Sequence, residues 1–462
     1  VTLLHINDVY EITAASDGWG GPARLATLRH RLLAANPNVI TVLAGDLLSP
    51  SALGTARVDG QRLDGRQMVE VLNAAGLDFA TFGNHEFDLA EAAFAARFRE
   101  SRFRWVSANV RASAAGAPLP VARHMILRFG AGRDTLRLAL FGITMDRDGA
   151  PWATIAEPVS AGIAHARLLA DSADVLVALT HLPLSQDAAI VLGAPRVNLV
   201  VGGHEHENLL LRRGDHLTPI AKADANLRTA WVHEITWDPR DRRATVQSRL
   251  VPLDSTVAED SATLAVARGW VDRAFAAFRQ AGFDPAAVVA RSTVPLDGLE
   301  SSVLVDTTTL THAIAEAFRT EAGTEIAIFN AGSIRLDDVL PPGPITQYDV
   351  IRILPFGGPV VEVEMRGTLL RRVLDQGWRN RGTGGFLQYA NIARTADGGW
   401  TVAASPLEDS RTYRLAVSDF LLTGREQGMD WLTREHAELR VLRDHRDVRF
   451  ALNDELARRF RR

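Results

Sequence analysis

Short apolar runs rich in Val, Ile, Leu and Phe recur through the first half of the chain, at residues 2–6, 39–43, 79–82, 104–108, 136–143, 175–179 and 197–201. Amphipathic stretches such as 23–35 and 66–75 lie between several of them. Buried strands alternating with helices predict a layered α/β domain whose helices cover the sheet faces. Polar clusters sit at one end of these runs. Asp8 follows the first, Gly45 and Asp46 the second, Gly83, Asn84 and His85 the third, His181 the sixth and His204 the seventh. Sites in α/β sheets form beyond the carboxyl ends of strands, so residues distant in sequence are expected to meet on one rim.

A chain of 462 residues exceeds the size at which a single core stops growing, which predicts two domains. A helix-favouring segment at 258–281 reads as the connector. A second α/β-like region follows, with strands at 325–329, 360–363 and 412–417 and helices at 309–321 and 368–376. Loops are expected at 341–343 and 382–385, and the domain limits at 1–256, 257–284 and 285–462. The net charge of −4 provides no basic field for a nucleic-acid polymer. The absence of cysteine excludes disulfides, thiolate ligands and cysteine nucleophiles. Basic residues are nearly all Arg, with Lys222 the only lysine, which reads as a composition bias. No apolar run approaches the roughly 20 residues that span a bilayer. The expectation is a soluble chain, extracytoplasmic if a leader was removed and cytoplasmic otherwise.

The polar clusters combine Asp, Asn and His, a mixed oxygen and imidazole set suited to Mn, Fe, Zn, Ni or Co rather than to calcium. Asp46 has two oxygens with which to bridge two cations. His204 and His206 are two apart, and in an extended segment they point to the same side. Two ions about 3.5–4 Å apart hold a phosphate ester and activate a water for in-line attack.

The strings Leu-Leu-His-Ile-Asn-Asp at 3–8, Ala-Gly-Asp at 44–46, Gly-Asn-His-Glu-Phe-Asp at 83–88, Thr-His at 180–181 and Gly-Gly-His-Glu-His at 202–206 together resemble the 5′-nucleotidase family. The resemblance implies a four-layer α/β/β/α metallophosphoesterase sandwich, joined by a helix to a second α/β substrate-binding domain. It implies that Asp8, Asp46 and His206 bind one metal, and Asp46, Asn84, His181 and His204 the other. His85 would stabilise the transition state or protonate the leaving oxygen, oriented by Asp88, which also suits a helix N-cap. The family's first motif is normally Asp-x-His, but Val9 and Tyr10 follow Asp8 here. The first site is then expected to be weaker, completed by water or rescued by Glu11. Tyr10 is left either to packing or to binding iron(III) as a phenolate. One firm and one labile metal is the resulting expectation.

The likeness continues through the second half. Phe-Asn-Ala-Gly-Ser-Ile-Arg at 329–335 resembles the family's loop in which Asn meets the base and Arg the phosphate, implying Asn330 and Arg335. Ile-Leu-Pro-Phe-Gly-Gly at 353–358 is similar to the segment whose aromatic stacks on the base, implying Phe356 and Gly358. Phe420 and the Gly-Met-Asp at 428–430 resemble the second stacking aromatic and, in Asp430, the ribose contact. The segment 306–312 lacks the phosphate-binding Arg usual in the family, and Arg425 lies in sequence inserted after Phe420. The expected activity is phosphate release from a nucleoside monophosphate by a water activated on two divalent metals. Nucleotide-diphosphate or UDP-sugar hydrolysis, 2′,3′-cyclic-nucleotide phosphodiesterase with 3′-nucleotidase action, thiosulfohydrolysis and nucleotide binding with impaired catalysis are the alternatives.

Overall fold

The fold is that of a computed structural model, which describes residues 1–461 except residues 16, 115, 117–118, 133–134, 147–149 and 242. It divides into two units, Val1–Ala277 and Phe278–Arg462, the division falling inside the helix Ser261–Gln280.

The first unit is built on two six-stranded sheets. One runs in the order Arg243–Pro252, Thr229–Asp238, Thr2–Ile6, Val39–Ala44, Phe79–Thr81 and Arg104–Trp105. The other runs Leu209–Arg213, Thr218–Lys222, Val197–Gly203, Val175–His181, Leu136–Thr144 and His124–Phe129. In each sheet the four strands with parallel pairing point one way, so their carboxyl ends share a rim. Leu3, Val42 and Ala44 of the first sheet pack against Leu138, Leu140, Val177, Leu179 and Val201 of the second. The outer face of the second sheet packs Ala139, Phe141 and Ala178 against Ala166, Leu169 and Ile190 of the helices Pro158–Leu169 and Leu184–Gly193. Burial on both faces is why these strands read as largely apolar runs.

Helix limits follow local chemistry. The helix Pro22–Ala35 opens on proline, whose missing N–H costs nothing in the first turn, and Arg66–Ala75 ends at Gly76 in the left-handed region. The run at 104–108 departs from its expectation, because only Arg104–Trp105 is strand. Val106 N–H still donates to Ala80 of one sheet, while Ala108 N–H donates to Gly142 of the other, so the apolar run crosses between sheets.

The second unit is a mixed five-stranded sheet ordered Leu387–Ala390, Ile326–Asn330, Thr412–Ser418, Pro359–Arg366 and Leu439–Asp447. One face packs on the helices Thr309–Ala322 and Val448–Arg459, and the other on Gly367–Arg379. Thr308 caps the helix Thr309–Ala322 with its own hydroxyl in a reciprocal box with Thr311. The segment 306–312 is therefore a helix start. Pro341 and Pro342 lie in a connection, but Gly343 already opens the strand Gly343–Thr346, shortening the loop expected at 341–343. Among the described residues no helix is long and apolar enough to cross a membrane.

Candidate active site

The rim of the first unit gathers the sequence-predicted ligands. Asp8 stands two residues past the strand Thr2–Ile6, Asp46 two past Val39–Ala44, and Asn84 three past Phe79–Thr81, while His181 closes Val175–His181. Asp8 and Asp46 both adopt left-handed backbone, at φ 51° and 58°. These turns reverse the chain sharply, and Asp8 N–H donates to Gly45 and Val9 N–H to Asp46, tying the two together. Two glycines permit the crowding. A Cβ on Gly83 would stand 2.1 Å from Asp46 Oδ1, and one on Gly203 would stand 2.2 Å from the Ala44 carbonyl.

His181 Nδ1 lies 2.8 Å from the Ala44 carbonyl, which fixes the proton there and turns Nε2 inward. That Nε2 is 3.3 Å from Asp46 Oδ2, 3.9 Å from Asp8 Oδ1 and 3.1 Å from Asn84 Oδ1. His206 Nε2 is 3.5 Å from Asp8 Oδ1. His204 and His206 do not share an extended segment, since the strand ends at Gly203 and His204 turns at φ 86°. His204 consequently faces the His181 ring at 5.5 Å, whereas His206 faces the Tyr10 ring.

The electrostatics fit a cation. Burial pushes the Asp8 carboxyl up, but His181, His206 and Asn7 outweigh it and hold it well below the usual carboxylate range. Burial disfavours a charged His181, yet the Asp46 and Asp8 carboxylates raise its pKa to about 9. Two buried carboxylates thus draw positive charge onto the imidazole between them, which is the demand a metal ion answers. His204 is lowered by burial and by His181, keeping it neutral as a ligand must be.

His85 lies beside this cluster. Its N–H donates to Asp46 Oδ1 at 2.8 Å and its Nδ1 is 2.6 Å from Asp88 Oδ2. Asp88 sits within the 3-10 turn His85–Asp88 and holds the imidazole, so the helix-cap role does not describe it. Tyr10 is buried, with its hydroxyl among Asp8, Asp46 and His206. Glu11 instead accepts from Ala52 N–H at 3.3 Å, in the neighbouring loop.

Two groups in this rim escaped the sequence reading. Glu86 accepts backbone N–H donors from Asp46, Leu47, Leu48 and Gly83, stapling the turns that carry Asp46 and Asn84. Lys222 is fully buried, donating to the carbonyls of Leu182 and Gly203 and pairing with Asp187 and Glu205. It holds the peptides that flank His181 and His204. A compact ammonium with three donors suits this nest where a planar guanidinium would not.

In the second unit Asn330 closes the strand Ile326–Asn330, accepting from Ser333 and Ser418 hydroxyls at 2.7 and 3.4 Å. Arg335 places its guanidinium 5.7 Å from the Phe356 ring centroid. Gly358, at φ 100°, lies so close to Asp419 that a Cβ would stand 2.7 Å from its carboxylate, bringing the Phe356 turn beside Phe420. Phe356 and Phe420 are 51% and 39% exposed, unusual for phenylalanines and usable as stacking faces. Glu426, buried and accepting from Gln427 N–H at 2.9 Å, was not foreseen. Asp430 is exposed on the turn past Gly428, its carbonyl against Gly424, and Arg425 is exposed as well.

The family model for calcineurin-like phosphoesterases matches residues 1–208, and that for the 5′-nucleotidase C-terminal domain matches 288–434. The chain is 25% identical over 491 residues to a 5′-nucleotidase of Vibrio cholerae, covering 92% of this chain and 85% of that one. It is 24% identical over 490 residues to protein UshA of Yersinia enterocolitica, with the same coverage, 92% and 85%. A 5′-nucleotidase precursor from Thermus thermophilus superposes with a TM-score of 0.78 at 22% identity, covering 100% of this chain and 96% of its own. The sulfate thiohydrolase SoxB from the same organism gives a TM-score of 0.74 at 16% identity, covering 99% and 94%; likenesses at this level speak to fold alone. With both domain types present in tandem on one α/β architecture, the chain belongs to the 5′-nucleotidase family, as a calcineurin-like phosphoesterase domain followed by a 5′-nucleotidase C-terminal domain.

Proposed function

We propose that the protein is a phosphomonoester hydrolase that releases phosphate from nucleoside monophosphates, using two metal ions. The observation that supports this reading is the buried cluster of Asp8, Asp46 and His181, with Asn84 and His206 within hydrogen-bond or ion-pair reach of it, His204 packed on the His181 ring, and His85 and Asp88 beside it. Asp8, Asp46 and His206 would hold one ion, and Asp46, Asn84, His181 and His204 the other. Bound ions supply Lewis acidity toward phosphoryl oxygens and lower the pKa of a water. The bond from phosphorus to the leaving oxygen breaks as a water oxygen bonds to phosphorus. His85 carries a proton at Nε2 for that leaving oxygen, while Asp88 at Nδ1 orients the ring.

Residues 1–256 carry the metals in this reading, 257–284 connect, and 285–462 grip the nucleotide. Phe356 and Phe420 stack on the base, which any purine or pyrimidine satisfies. Asn330 and Gly358 contact the base edge, Arg335 offers a planar fork of donors to phosphate, and Asp430 takes the ribose hydroxyls. The test is phosphate release from a panel of nucleoside monophosphates, nucleotide diphosphates, UDP-sugars, 2′,3′-cyclic nucleotides and a thiosulfonate, with Mn, Co, Zn or Mg and with chelator. Monophosphates are expected to turn over best and chelation to abolish the activity. Faster turnover of another class would replace the substrate, and chelator-resistant activity would remove the metals.

A further inference from the structure

Phe356 is half exposed, so packing alone does not fix its ring, and the two residues after it are glycines in left-handed backbone, Gly357 at φ 64° and Gly358 at φ 100°. Such a turn samples many shapes unless something holds it. The start of the last helix, Val448–Arg459, does so. Val448 N–H donates to the Gly358 carbonyl at 2.9 Å, and Gly358 N–H donates to Asp447 Oδ2 at 3.3 Å. Asp447 also caps the helix, its Oδ1 accepting from Arg449 N–H at 2.9 Å. Arg449 closes a fork on the same carboxylate, with Nε 2.8 Å from Oδ1 and Nη2 2.7 Å from Oδ2. This pair lies directly against the turn: a Cβ on Gly357 would stand 2.5 Å from Arg449 Nη2 and 2.8 Å from Asp447 Oδ2. The guanidinium is itself held, 4.6 Å from the Phe283 ring centroid, and Phe283 stacks on Phe450 at 4.4 Å.

We propose that Asp447 and Arg449 are positioning residues for nucleotide binding, holding the Phe356 turn so that its ring is presented to the base. The inference rests on the stacking role given to Phe356 above and deepens it. Neither residue touches the base in this reading. A stacking face contributes most when it is ordered before the ligand arrives, because ordering a loop and an aromatic side chain on binding costs affinity. The fork fixes both carboxylate oxygens at once, Oδ1 toward the helix and Oδ2 toward the turn. Without Arg449, Asp447 is free to rotate its carboxylate away from Gly358 N–H, and the space beside Gly357 opens. The turn then keeps only the Val448 bond to this helix start, and the exposed ring loses its fixed direction.

The experiment measures kcat and KM of the full chain for adenosine monophosphate and, as a base-free ester, ribose 5-phosphate. The forms compared are wild type, Phe356→Ala, Arg449→Met, Arg449→Lys and each Arg449 variant combined with Phe356→Ala. Circular dichroism confirms that each is folded; were Arg449→Met to lose its fold, Arg449→Lys, which keeps the charge but not the fork, carries the comparison. Arg449→Met is expected to raise KM for adenosine monophosphate about fivefold or more at similar kcat, the low end of what one stacked base contributes, with no matching rise for ribose 5-phosphate. Arg449→Lys should recover part of the loss. In the Phe356→Ala background Arg449→Met should add little, because it acts through a ring no longer there. An unchanged KM in Arg449→Met, an equal rise for ribose 5-phosphate, or effects that multiply in the double variant would overturn the positioning role. A Phe356→Ala variant with wild-type KM overturns the stacking reading instead, and the positioning role with it.

Discussion

Replacing Lys222 with methionine isolates the cluster that holds the two histidine-bearing loops. The substitution leaves Asp187, whose side chain is 0% exposed, without the ammonium that stands 3.0 Å from it. Breaking one side of a buried ion pair costs about 3–5 kcal/mol, because the survivor is a desolvated charge. Glu205 adds little, since its side chain is 33% exposed and turns readily toward water. Protonation of Asp187 caps the loss: burial already pushes its carboxyl up, with Lys222 opposing. The penalty is therefore largest near neutral pH and smaller in acid. At about 2–4 °C per kcal/mol for a unit of this size, the first thermal transition should fall by about 6–20 °C. Because Lys222 also donates to the carbonyls of Leu182 and Gly203, metal affinity should fall about 10–100-fold. Thermal unfolding followed by circular dichroism, on Lys222→Met, Asp187→Leu and the double variant, measures both the loss and its origin. The double variant should recover most of the stability, since an apolar pair replaces an ionic one at little cost. A drop under about 2 °C for Lys222→Met would refute the argument, as would a double variant no more stable than the single.

His85→Ala should lower turnover about 10²–10⁴-fold with metal content unchanged, and normal turnover in the metal-replete variant would take His85 out of the mechanism. The folded pKa of His181, about 9, lies above its ordinary 6.5. Its charge therefore stabilises the metal-free protein fully below pH 6.5, and this contribution of about 3 kcal/mol is lost as pH rises through about 9. Urea midpoints of the metal-free protein should fall across that window while metal affinity rises, and flat midpoints would contradict the shift. Phe356→Ala and Phe420→Ala should each weaken nucleotide binding by about 1–3 kcal/mol, read as a rise in KM of similar size for purines and pyrimidines. Unchanged KM across all nucleotides would argue against stacking.

The apolar runs at 2–6, 39–43, 79–82, 175–179 and 197–201 made the parallel sheets legible, because strands buried on both faces carry few polar residues, such as His5, Thr41 and Asn198. Asp8, Asp46, Asn84 and His181 were legible for a related reason, since each follows or ends such a strand and parallel pairing brings those ends to one rim. The strand Arg243–Pro252 was not, because at the sheet edge its pattern alternates between exposed and half-buried positions and gives no apolar run. The run at 104–108 misled, since apolar residues crossing between two sheets look the same as residues lying within one. The sequence by itself determined which residues could ligate and in what order. Only the tertiary structure decided that Glu86 staples two turns, that Lys222 lies buried between the loops of His181 and His204, and that the Tyr10 hydroxyl stands among Asp8, Asp46 and His206. Those decisions depend on distances between residues far apart in the chain, which are set by backbone reversals at Asp8, Asp46 and His204 and not by local composition.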